Sequence, residues 1–473
     1  MKIKLGMNKV NMSDVSRFCG GDLYDFTSDG NSFFEYVCTD SREADENTMF
    51  VATRGERVDG HDYIAKAIEL GCRCILCEYV PSDIKGKDAA FVVVENSIDA
   101  FSDCAKGYRE GSPLPSVAIT GSVGKTTTKE LCAAIFKKAC KVFYTEGNFN
   151  SVIGMPMSLM SAEGDCQAAI FEMGMSGFGE ISKMTKAATP MVAMVTNIGS
   201  SHLEYLRTRE NIAKAKLEIG EGLVDGGYLL LNGDEPLLED HYNERYETVY
   251  VGYGDNCVFQ ISNVIVDESG TRFDLRLPGG DHIFGIHLNL VGKHFAYNAS
   301  FAAAAAHLMG IDVDTIREGL GSYVPASMRM NISKRDGVTL IADCYNAAPE
   351  SMRGAIDSLT SIKVEGKRIA VLGDMKELGE RSDDMHRSVG SYLARRGIDM
   401  LFTLGSSAAY IADAAIDGGM NIESVISVVN GEEKERLASL IKEKMNKGDT
   451  ILFKASRSMR LEDVIASVFE ENK

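Results

Sequence analysis

The sequence predicts an α/β protein of three domains: a small α/β N-terminal domain, a central domain with a parallel sheet and an antiparallel flap, and a C-terminal domain with a doubly wound sheet. Three observations support this prediction. A length of 473 residues suits roughly three domains. Apolar runs of strand length alternate with segments of helical spacing, as parallel sheets with crossover helices require. A linker containing proline and glycine, residues 111–115, separates the first alternating region from the next.

Composition and charge narrow the class of function. Hydrophobic residues make up 45% and charged residues 25% of the chain, which is typical of a globular protein. The net charge of −18 argues against a nucleic acid or an anionic membrane as the main partner, because binding to phosphates requires a basic face. Small anionic substrates remain compatible with this charge, since a local lysine or arginine cluster suffices.

The compartment follows from the apolar runs and the cysteines. No run approaches the length of a membrane span, and the first residues lack the apolar centre of a signal peptide. We therefore expect a cytoplasmic protein with eleven reduced cysteines. The spacing of Cys72, Cys74 and Cys77 resembles that of a metal-binding cluster. A strand, however, directs Cys74 and Cys77 to opposite faces, so we interpret these cysteines as buried apolar residues.

The N-terminal domain, residues 1–112, is predicted to contain strands at 34–37, 49–52, 75–76 and 91–94, and a helix at 63–70 that ends at Gly71. Two polar clusters follow strands: residues 39–42, and residues 54–56 continuing to 59–61. In α/β folds, ligands bind at such positions. The residues alone leave open whether these clusters bind a ligand or are polar turns.

The central domain, residues 113–325, opens on SVAITGSVGKTTTKE at 116–130, which predicts a strand, a glycine loop and a helix start. Backbone N–H groups and a helix N-terminus then point at an anion. Lys125 would reach the outer phosphates of a nucleotide, and the Thr126 hydroxyl would ligate Mg²⁺. The full P-loop pattern has a glycine where this chain has Ile119, so the match is to a shorter form, G-x-x-G-K-T-T. We interpret the domain as P-loop ATPase-like, with an ordinary strand-to-helix turn as the alternative.

Further candidates follow the neighbouring strands of this domain. A strand at 168–171 ends in Glu172, where P-loop enzymes place a carboxylate near Mg²⁺. A strand at 191–195 precedes His202, which its polar neighbours favour as a ligand. A helix at 210–223 carries Lys214 and Lys216 on different faces, and at least one of them is expected to be solvated. A strand at 228–231, the antiparallel flap at 257–290 and an alanine-rich helix at 298–308 complete the domain.

The C-terminal domain, residues 326–473, alternates again. Strands are predicted at 339–342, 369–372, 401–404 and near Val425 and Ile451, with helices at 351–359 and 384–395. This pattern is typical of a doubly wound, Rossmann-like sheet, whose ligands bind beyond the carboxyl ends of the strands. Asp343, Asp374 and Gly405 fall at such ends. The loop at 343–349 is either a ligand loop or a well-capped turn.

Several stretches together resemble one family, the Mur ligases, from Thr39 to Glu462. They occur in the family's order and spacing: CTDSREADENTMFVATRGERVDGHDYI, TGSVGKTTTKE, EGNFNSVIGMP, FEMGMSGFGEI, TNIGSSHLEY, GKHFAYNASFAAAA, ADCYNAAPESM, VLGDMKELGE with His386, and LFKASRSMRLED.

The resemblance implies an ATP-dependent amide ligase of peptidoglycan precursor synthesis. Such an enzyme would join D-alanyl-D-alanine to UDP-N-acetylmuramoyl-tripeptide through an acyl phosphate. These two small molecules are the expected partners, ATP and Mg²⁺ at two sites the expected cofactors, and a monomer the expected state. The three domains would bind the UDP-sugar, ATP and the amino substrate in that order. The D-N-P-R signature of the diaminopimelate-adding ligase is absent, and the third peptide residue, lysine or diaminopimelate, stays open.

The resemblance also implies roles for individual residues. The catalytic set would be Lys125, Glu172, His202 and Lys216. Metal ligands would be Thr126, Glu172, His202 and Lys216 as a carbamate. ATP would be bound by Thr120, Gly121, Ser122, Val123, Gly124, Lys125, Thr126, Thr127, Asn298 (adenine), Arg329 (phosphate) and Asp343 (ribose). Substrate contacts would come from Ser41, Arg42 and His61 at the uridine nucleotide, and from Asn148, Asn150, Tyr345 and Asn346.

The chain departs from the family pattern at positions that bear on substrate contacts, above all for the incoming dipeptide. These positions are Ser151, Leu217, Ala342, Ala348 and Ala455. The phosphate and metal positions are retained. Three alternatives remain: a sister amide ligase such as a folylpolyglutamate synthase, a P-loop ATPase or switch that drives a partner, and an inactive paralogue.

Overall fold

The computed structural model describes residues 1–28, 30, 32–55, 58–84, 86–325 and 328–469. Glu56 of the second polar cluster and Ala326, the first residue of the predicted third domain, lie outside them. Within the described residues, three large sheets follow one another along the chain, each with flanking helices. The predicted α/β fold class is therefore confirmed, whereas the division at 112 and 325 stays a proposal.

The first sheet has the strand order β1-β5-β6-β7-β8-β3, with β5 to β8 parallel and antiparallel strands at both edges. The elements of this region are β1 (Lys2–Lys4), β2 (Val10–Asn11), α1 (Met12–Cys19), β3 (Asp22–Asp25), β4 (Phe33–Phe34), β5 (Tyr36–Cys38), β6 (Thr48–Val51), α2 (Ile64–Glu69), β7 (Cys74–Cys77), β8 (Ala90–Val93) and α3 (Ser97–Arg109).

Two sequence predictions for this region have different outcomes. The single strand predicted at 34–37 is wrong: the N–H groups of Glu35 and Tyr36 both donate to Asn47, so β4 pairs with β2 while β5 joins the main sheet. The prediction of buried apolar cysteines is confirmed. Cys74 and Cys77 pack into apolar clusters on opposite faces of the sheet, and burial raises the pKa of Cys77 to about 12.

The central sheet has the order β10-β11-β9-β12-β13-β14-β15-β16-β17. It is parallel through β15, and β16 and β17 extend it as antiparallel strands, so the predicted flap is continuous with the sheet. The elements are β9 (Ser116–Thr120), α4 (Lys125–Ala139), β10 (Val142–Tyr144), α5 (Gly154–Ser161), β11 (Ala168–Glu172), α6 (Glu180–Ala188), β12 (Val192–Val195), α7 (Leu203–Leu206), α8 (Arg209–Leu217), β13 (Tyr228–Asn232), β14 (Glu247–Gly252), β15 (Phe259–Asp267), β16 (Gly270–Arg276), β17 (His282–Leu288), α9 (His294–Leu308) and α10 (Val313–Gly321).

The third sheet has the order β18-β19-β23-β20-β21-β22, parallel except for the edge pair β18 and β19. This agrees with the predicted doubly wound arrangement. The elements are β18 (Asn331–Arg335), β19 (Val338–Asp343), α11 (Pro349–Ser361), β20 (Arg368–Gly373), α12 (Ser382–Leu393), β21 (Met400–Leu404), α13 (Ala409–Asp417), β22 (Val425–Val428), α14 (Lys434–Lys444), β23 (Thr450–Lys454) and α15 (Leu461–Val468).

The first and central sheets share one apolar cluster. It contains Phe101 of α3 together with Met157 of α5 and Met184 of α6, all buried. Two hydrogen bonds reinforce the junction: the N–H of Gly6 donates to the Met160 carbonyl at 2.9 Å, and the buried Arg109 guanidinium donates to the Ala162 carbonyl at 3.0 Å. No helix in the described part of the chain has both the length and the apolar character needed to cross a bilayer.

Candidate active site between the central and C-terminal sheets

The glycine loop at 121–124 connects β9 to α4, and its backbone requires glycine at two positions. Gly121 has φ +153°, and a Cβ there would lie 1.9 Å from Thr196 Oγ1. Gly124 has φ +83°, and a Cβ there would lie 2.7 Å from Asn298 Oδ1. Both side chains that would clash belong to other elements. The loop is therefore held in a fixed shape at the N-terminus of α4, where an anion is stabilised.

Asn197 braces this loop from the neighbouring strand. Its Oδ1 accepts from the N–H groups of Ser122 at 3.1 Å and Val123 at 3.0 Å, and its Nδ2 donates to the Val123 carbonyl at 3.0 Å. Sequence reasoning assigned no role to Asn197. Its position just after a predicted strand adjacent to the phosphate loop was the signal that could have identified it.

The loop forms one wall of a cavity of about 970 Å³ between the central and third sheets. Because β11, β9 and β12 are parallel neighbours, their carboxyl ends open on the same edge. The lining includes these predicted site residues: Ser122, Val123, Gly124, Lys125, Thr126, Thr127, Asn150, Glu172, His202, Asn298, Arg329, Asp343, Tyr345 and Asn346. Thr120 and Gly121 lie just behind the lining, in the strand end and the loop.

Lys125 and Glu172 both line this cavity. Lys125 Nζ donates to the Gly121 carbonyl at 2.8 Å. Burial lowers the pKa of Lys125, and the charge of Arg329 lowers it further, whereas Glu172 opposes both effects. Glu172 Oε1 accepts from Asn150 Nδ2 at 3.0 Å. Its other oxygen is buried and has no hydrogen-bond partner among the described residues, and Lys129 Nζ lies 3.9 Å from it.

The two lysines of α8 lie in opposite environments. Lys214 is exposed, whereas Lys216 is only 1% exposed, and no acidic side chain of the described residues offsets the effect of its burial on its pKa. Burial lowers the pKa of Lys216 well below its usual value, and the like charge of Lys125 lowers it further. Lys216 does not line the cavity but lies close enough to Lys125 to feel its charge. A buried lysine that is easily deprotonated is a nucleophile, so this residue has reactive character.

The residues fit a cation that is shared with bound phosphates. Among the described residues, no three His, Cys, Asp or Glu side chains form a ready-made metal cage. Mg²⁺ characteristically takes one or two protein carboxylates and completes its shell with waters and substrate phosphates. Glu172, whose second oxygen has no hydrogen-bond partner among the described residues, lines the same cavity as Thr126 and would suit a cation of that kind.

The third domain contributes a cationic and aromatic wall. Lys454 Nζ, 3% exposed, lies 2.6 Å from Asp343 Oδ2 and donates to the Asn346 carbonyl at 2.9 Å. The Arg329 guanidinium stacks 3.8 Å from the Tyr345 ring centroid. The Tyr345 hydroxyl donates to Asn148 of the central domain, which places Asn148 at the domain interface although it does not line the cavity.

Ser41, Arg42 and His61 of the first domain lie apart from this cavity. Ser41 is buried, and the exposed Arg42 guanidinium is paired with Asp40 at 2.6 Å, which holds the pKa of Asp40 below its usual value. His61 is 1% exposed, and both its ring nitrogens are used inside the protein: Nδ1 contacts Asp59 at 2.6 Å, and Nε2 accepts from the Glu78 N–H at 2.9 Å. His61 thus fixes the shape of its segment, and a contact from it to a ligand stays a prediction.

A phosphate loop that faces charged residues of a second α/β sheet defines a nucleotide-binding enzyme whose site is completed across two domains. Three family models match in order: "Mur ligase family, catalytic domain" at 34–109, "Mur ligase middle domain" at 119–306 and "Mur ligase, glutamate ligase domain" at 328–457. The chain belongs to the Mur ligase family.

Individual relatives agree with this assignment. UDP-N-acetylmuramoyl-tripeptide–D-alanyl-D-alanine ligase of Bacillus subtilis (strain 168) is 37% identical over 436 residues, which cover 92% of this chain and 93% of the relative. A crystal structure of MurF from Acinetobacter baumannii has a TM-score of 0.87 at 27% identity and covers 99% of this chain and 100% of that chain. MurF from Thermotoga maritima in complex with ADP has a TM-score of 0.81 at 29% identity, covering 92% and 97%.

Proposed function

We propose that this chain is an ATP-dependent ligase that joins D-alanyl-D-alanine to UDP-N-acetylmuramoyl-tripeptide in peptidoglycan precursor synthesis. The observation that carries the proposal is the cavity that the phosphate loop shares with Arg329 and Asp343 of the third domain. Its volume suits a nucleotide with a reacting group beside it. The names of the relatives and the retained VLGDMKELGE segment favour this substrate pair over that of a folylpolyglutamate synthase.

The chemistry begins with an unreactive carboxylate. The terminal carboxylate of the tripeptide attacks the γ-phosphorus of ATP, which forms an acyl phosphate and releases ADP. Lys125 and the N–H groups of the glycine loop stabilise the charge on the transferring group, and Arg329 adds a positive charge from the opposite wall. The amine of D-alanyl-D-alanine then attacks the acyl carbon, and the tetrahedral intermediate expels phosphate to leave the new amide.

Mg²⁺ would be held by Thr126, Glu172, His202 and a carbamate on Lys216, at two sites, and would neutralise charge on the phosphates. The environment of Lys216 supports the carbamate. The neutral amine would attack CO₂, form a carbon–nitrogen bond and lose one proton to solvent. The resulting anion would lie near Lys125, so the like-charge repulsion that now lowers the pKa of Lys216 would become attraction.

The remaining roles rest on position. Asn298 packs against Gly124 beside the loop, and we assign it to the adenine and Asp343 to the ribose. Asn148, Asn150, Tyr345 and Asn346 surround the path between the two domains, where the tripeptide and the dipeptide would meet. Ser41, Arg42 and His61 mark the segment for the uridine nucleotide. We place the enzyme in the cytoplasm as a monomer, and its eleven free thiols support a reducing compartment.

The test is phosphate release by the purified protein with ATP, UDP-N-acetylmuramoyl-tripeptide, D-alanyl-D-alanine and Mg²⁺, with each component left out in turn. The ligase predicts phosphate release that requires all four. Release that ignores the dipeptide would favour a P-loop ATPase, and acceptance of glutamate on a folate substrate would favour the sister ligase. Absence of release with ATP still bound would identify an inactive paralogue.

A further inference from the structure

A contact between two domains joins His202 to an acidic residue that the mechanism above does not use. Nδ1 of His202 lies 2.9 Å from Oε2 of Glu377, which follows β20 in the third domain. This nitrogen is buried, and although Glu377 lies close to it, the contact is not aligned as a hydrogen bond and the nitrogen has no hydrogen-bond partner in the described part of the chain. Glu377 also lines the cavity that the phosphate loop borders. The carboxylate therefore enters the phosphate site from the opposite domain.

Both residues adopt backbone conformations that side chains rarely take. His202 has φ +65° and Glu377 has φ +63°, in the left-handed region. Such strain persists only where the surrounding structure enforces it, and it concentrates at functional sites. The two segments also approach closely, because a Cβ on Gly379 would lie 3.0 Å from Glu204 Cα. The contact between His202 and Glu377 is thus part of a fitted interface.

The segment that carries Glu377 is fixed within its own domain. The Met375 N–H donates to Nε2 of the fully buried His386 at 2.9 Å, and the Lys376 N–H donates to Ser456 Oγ at 3.0 Å. Asp374 Oδ1 accepts from the Ala408 N–H at 2.8 Å. These bonds attach the segment to α12, to the residues after β23 and to the start of α13. The third domain therefore presents Glu377 on a rigid support.

We propose that Glu377 is a positioning residue for His202. When a metal ion binds, the Glu377 carboxylate accepts a hydrogen bond from the Nδ1 N–H, which fixes the ring orientation and leaves the lone pair on Nε2 for the metal ion. Histidine ligands are commonly oriented by a carboxylate on the other ring nitrogen, and loss of that partner typically weakens metal affinity 10–100-fold. Here the carboxylate comes from another domain, so docking of the third domain completes the environment of a central-domain ligand. This inference deepens the proposed function and rests on it.

The test measures Mn²⁺, a paramagnetic substitute for Mg²⁺, bound to the full chain in the presence of ADP. We expect Glu377→Gln to weaken Mn²⁺ binding 10–100-fold, because the amide keeps the shape but loses the charge. Glu377→Asp keeps the charge and should recover part of the affinity. Glu380→Gln is the matched control: Glu380 is an exposed acid of the same segment that does not line the cavity, so the same charge change should alter binding less than 2-fold.

A double-mutant cycle with His202→Asn separates positioning from general electrostatics. If Glu377 acts through His202, Glu377→Gln should have no further effect on Mn²⁺ affinity in the His202→Asn background. Undiminished affinity in Glu377→Gln, an equal loss in Glu380→Gln, or a full additional loss in the double variant would each overturn the proposal.

The kinetic consequence gives a second readout. In Glu377→Gln, the Mg²⁺ concentration for half-maximal phosphate release should rise while the rate at saturating Mg²⁺ recovers. A lowered rate that added Mg²⁺ does not restore would contradict positioning. The Mn²⁺ measurement needs neither the tripeptide nor the dipeptide. If phosphate release did not depend on the dipeptide, the ligase function would be refuted, and the Mn²⁺ result would still test the role of Glu377.

Discussion

Replacement of Lys216 by methionine should stabilise the protein and abolish its activity. The side chain is 1% exposed, and the like charge of Lys125 adds to the unfavourable burial of its ammonium group. Methionine has a similar length and fills the same space without a charge, so the folded state loses a destabilising group. The size of the gain depends on the pH, because it reflects the different protonation of Lys216 in the folded and unfolded states.

The pH dependence of this effect follows from proton linkage. The folded-state pKa of Lys216 lies well below the 10.5 of an exposed lysine. Between these two pKa values, the unfolded chain binds one more proton than the folded chain, so stability falls as the pH falls. For one proton the slope is about 1.4 kcal/mol per pH unit. The stability difference between Lys216→Met and the unchanged protein should therefore grow with this slope as the pH is lowered, and level off below the folded-state pKa.

Urea unfolding in CO₂-free buffer at a series of pH values measures the difference, and the phosphate-release assay measures activity. Lys214→Met is the control, because Lys214 is exposed two residues away on the same helix and should change neither quantity. A Lys216→Met variant that is less stable at neutral pH, or whose stability difference is independent of pH, would refute the lowered pKa of Lys216. Retained activity would refute a catalytic role for Lys216.

Three further predictions concern the site and its supports. Gly124→Ala should lower the free energy of unfolding by about 1–2 kcal/mol, because residue 124 has a positive φ. It should also raise KM for ATP. An unchanged KM would contradict the inference that the loop is held in a fixed shape. Lys454→Met should lower the free energy of unfolding, measured by chemical denaturation, by about 3–5 kcal/mol, because it leaves Asp343 without its ion pair. The double variant Lys454→Met with Asp343→Asn should recover part of that loss. Burial lowers the pKa of His386 in the folded state. As the pH falls below about 6.5, the unfolded chain therefore binds a proton before the folded chain does, and the free energy of unfolding declines. His386→Gln should flatten this decline in unfolding experiments from about pH 7 to about pH 5.

Local sequence patterns predicted the elements of the site well. The apolar run before Gly121 and the GKT sequence identified the strand, loop and helix. The acid at the end of β11 and the histidine after β12 then followed from parallel topology, which brings carboxyl ends to one edge. The burial of Lys216 was also within reach, because Ile212, Lys216 and Ile219 share one helical face at the spacing of core residues.

Other features depended on the arrangement of domains and could not be predicted. The contact between His202 and Glu377 joins residues in two domains, and no periodicity within either segment specifies how the domains dock. The pairing of Lys454 with Asp343 depends on β23 lying beside β19 in the middle of the sheet, a strand order that local patterns leave open. The contacts of the His61 ring with Asp59 and with the Glu78 N–H were also beyond local patterns, and a contact from His61 to a ligand stays a prediction.

The apolar cluster shared by the first and central sheets limits how this chain could be divided or recombined. Because α3 packs its buried face against α5 and α6, a chain cut near the 111–115 linker would expose apolar surface on both fragments. The first sheet and its helices are therefore not an independently folding unit. An exchange of this region between relatives would preserve folding only if the matching faces of α3, α5 and α6 were transferred together.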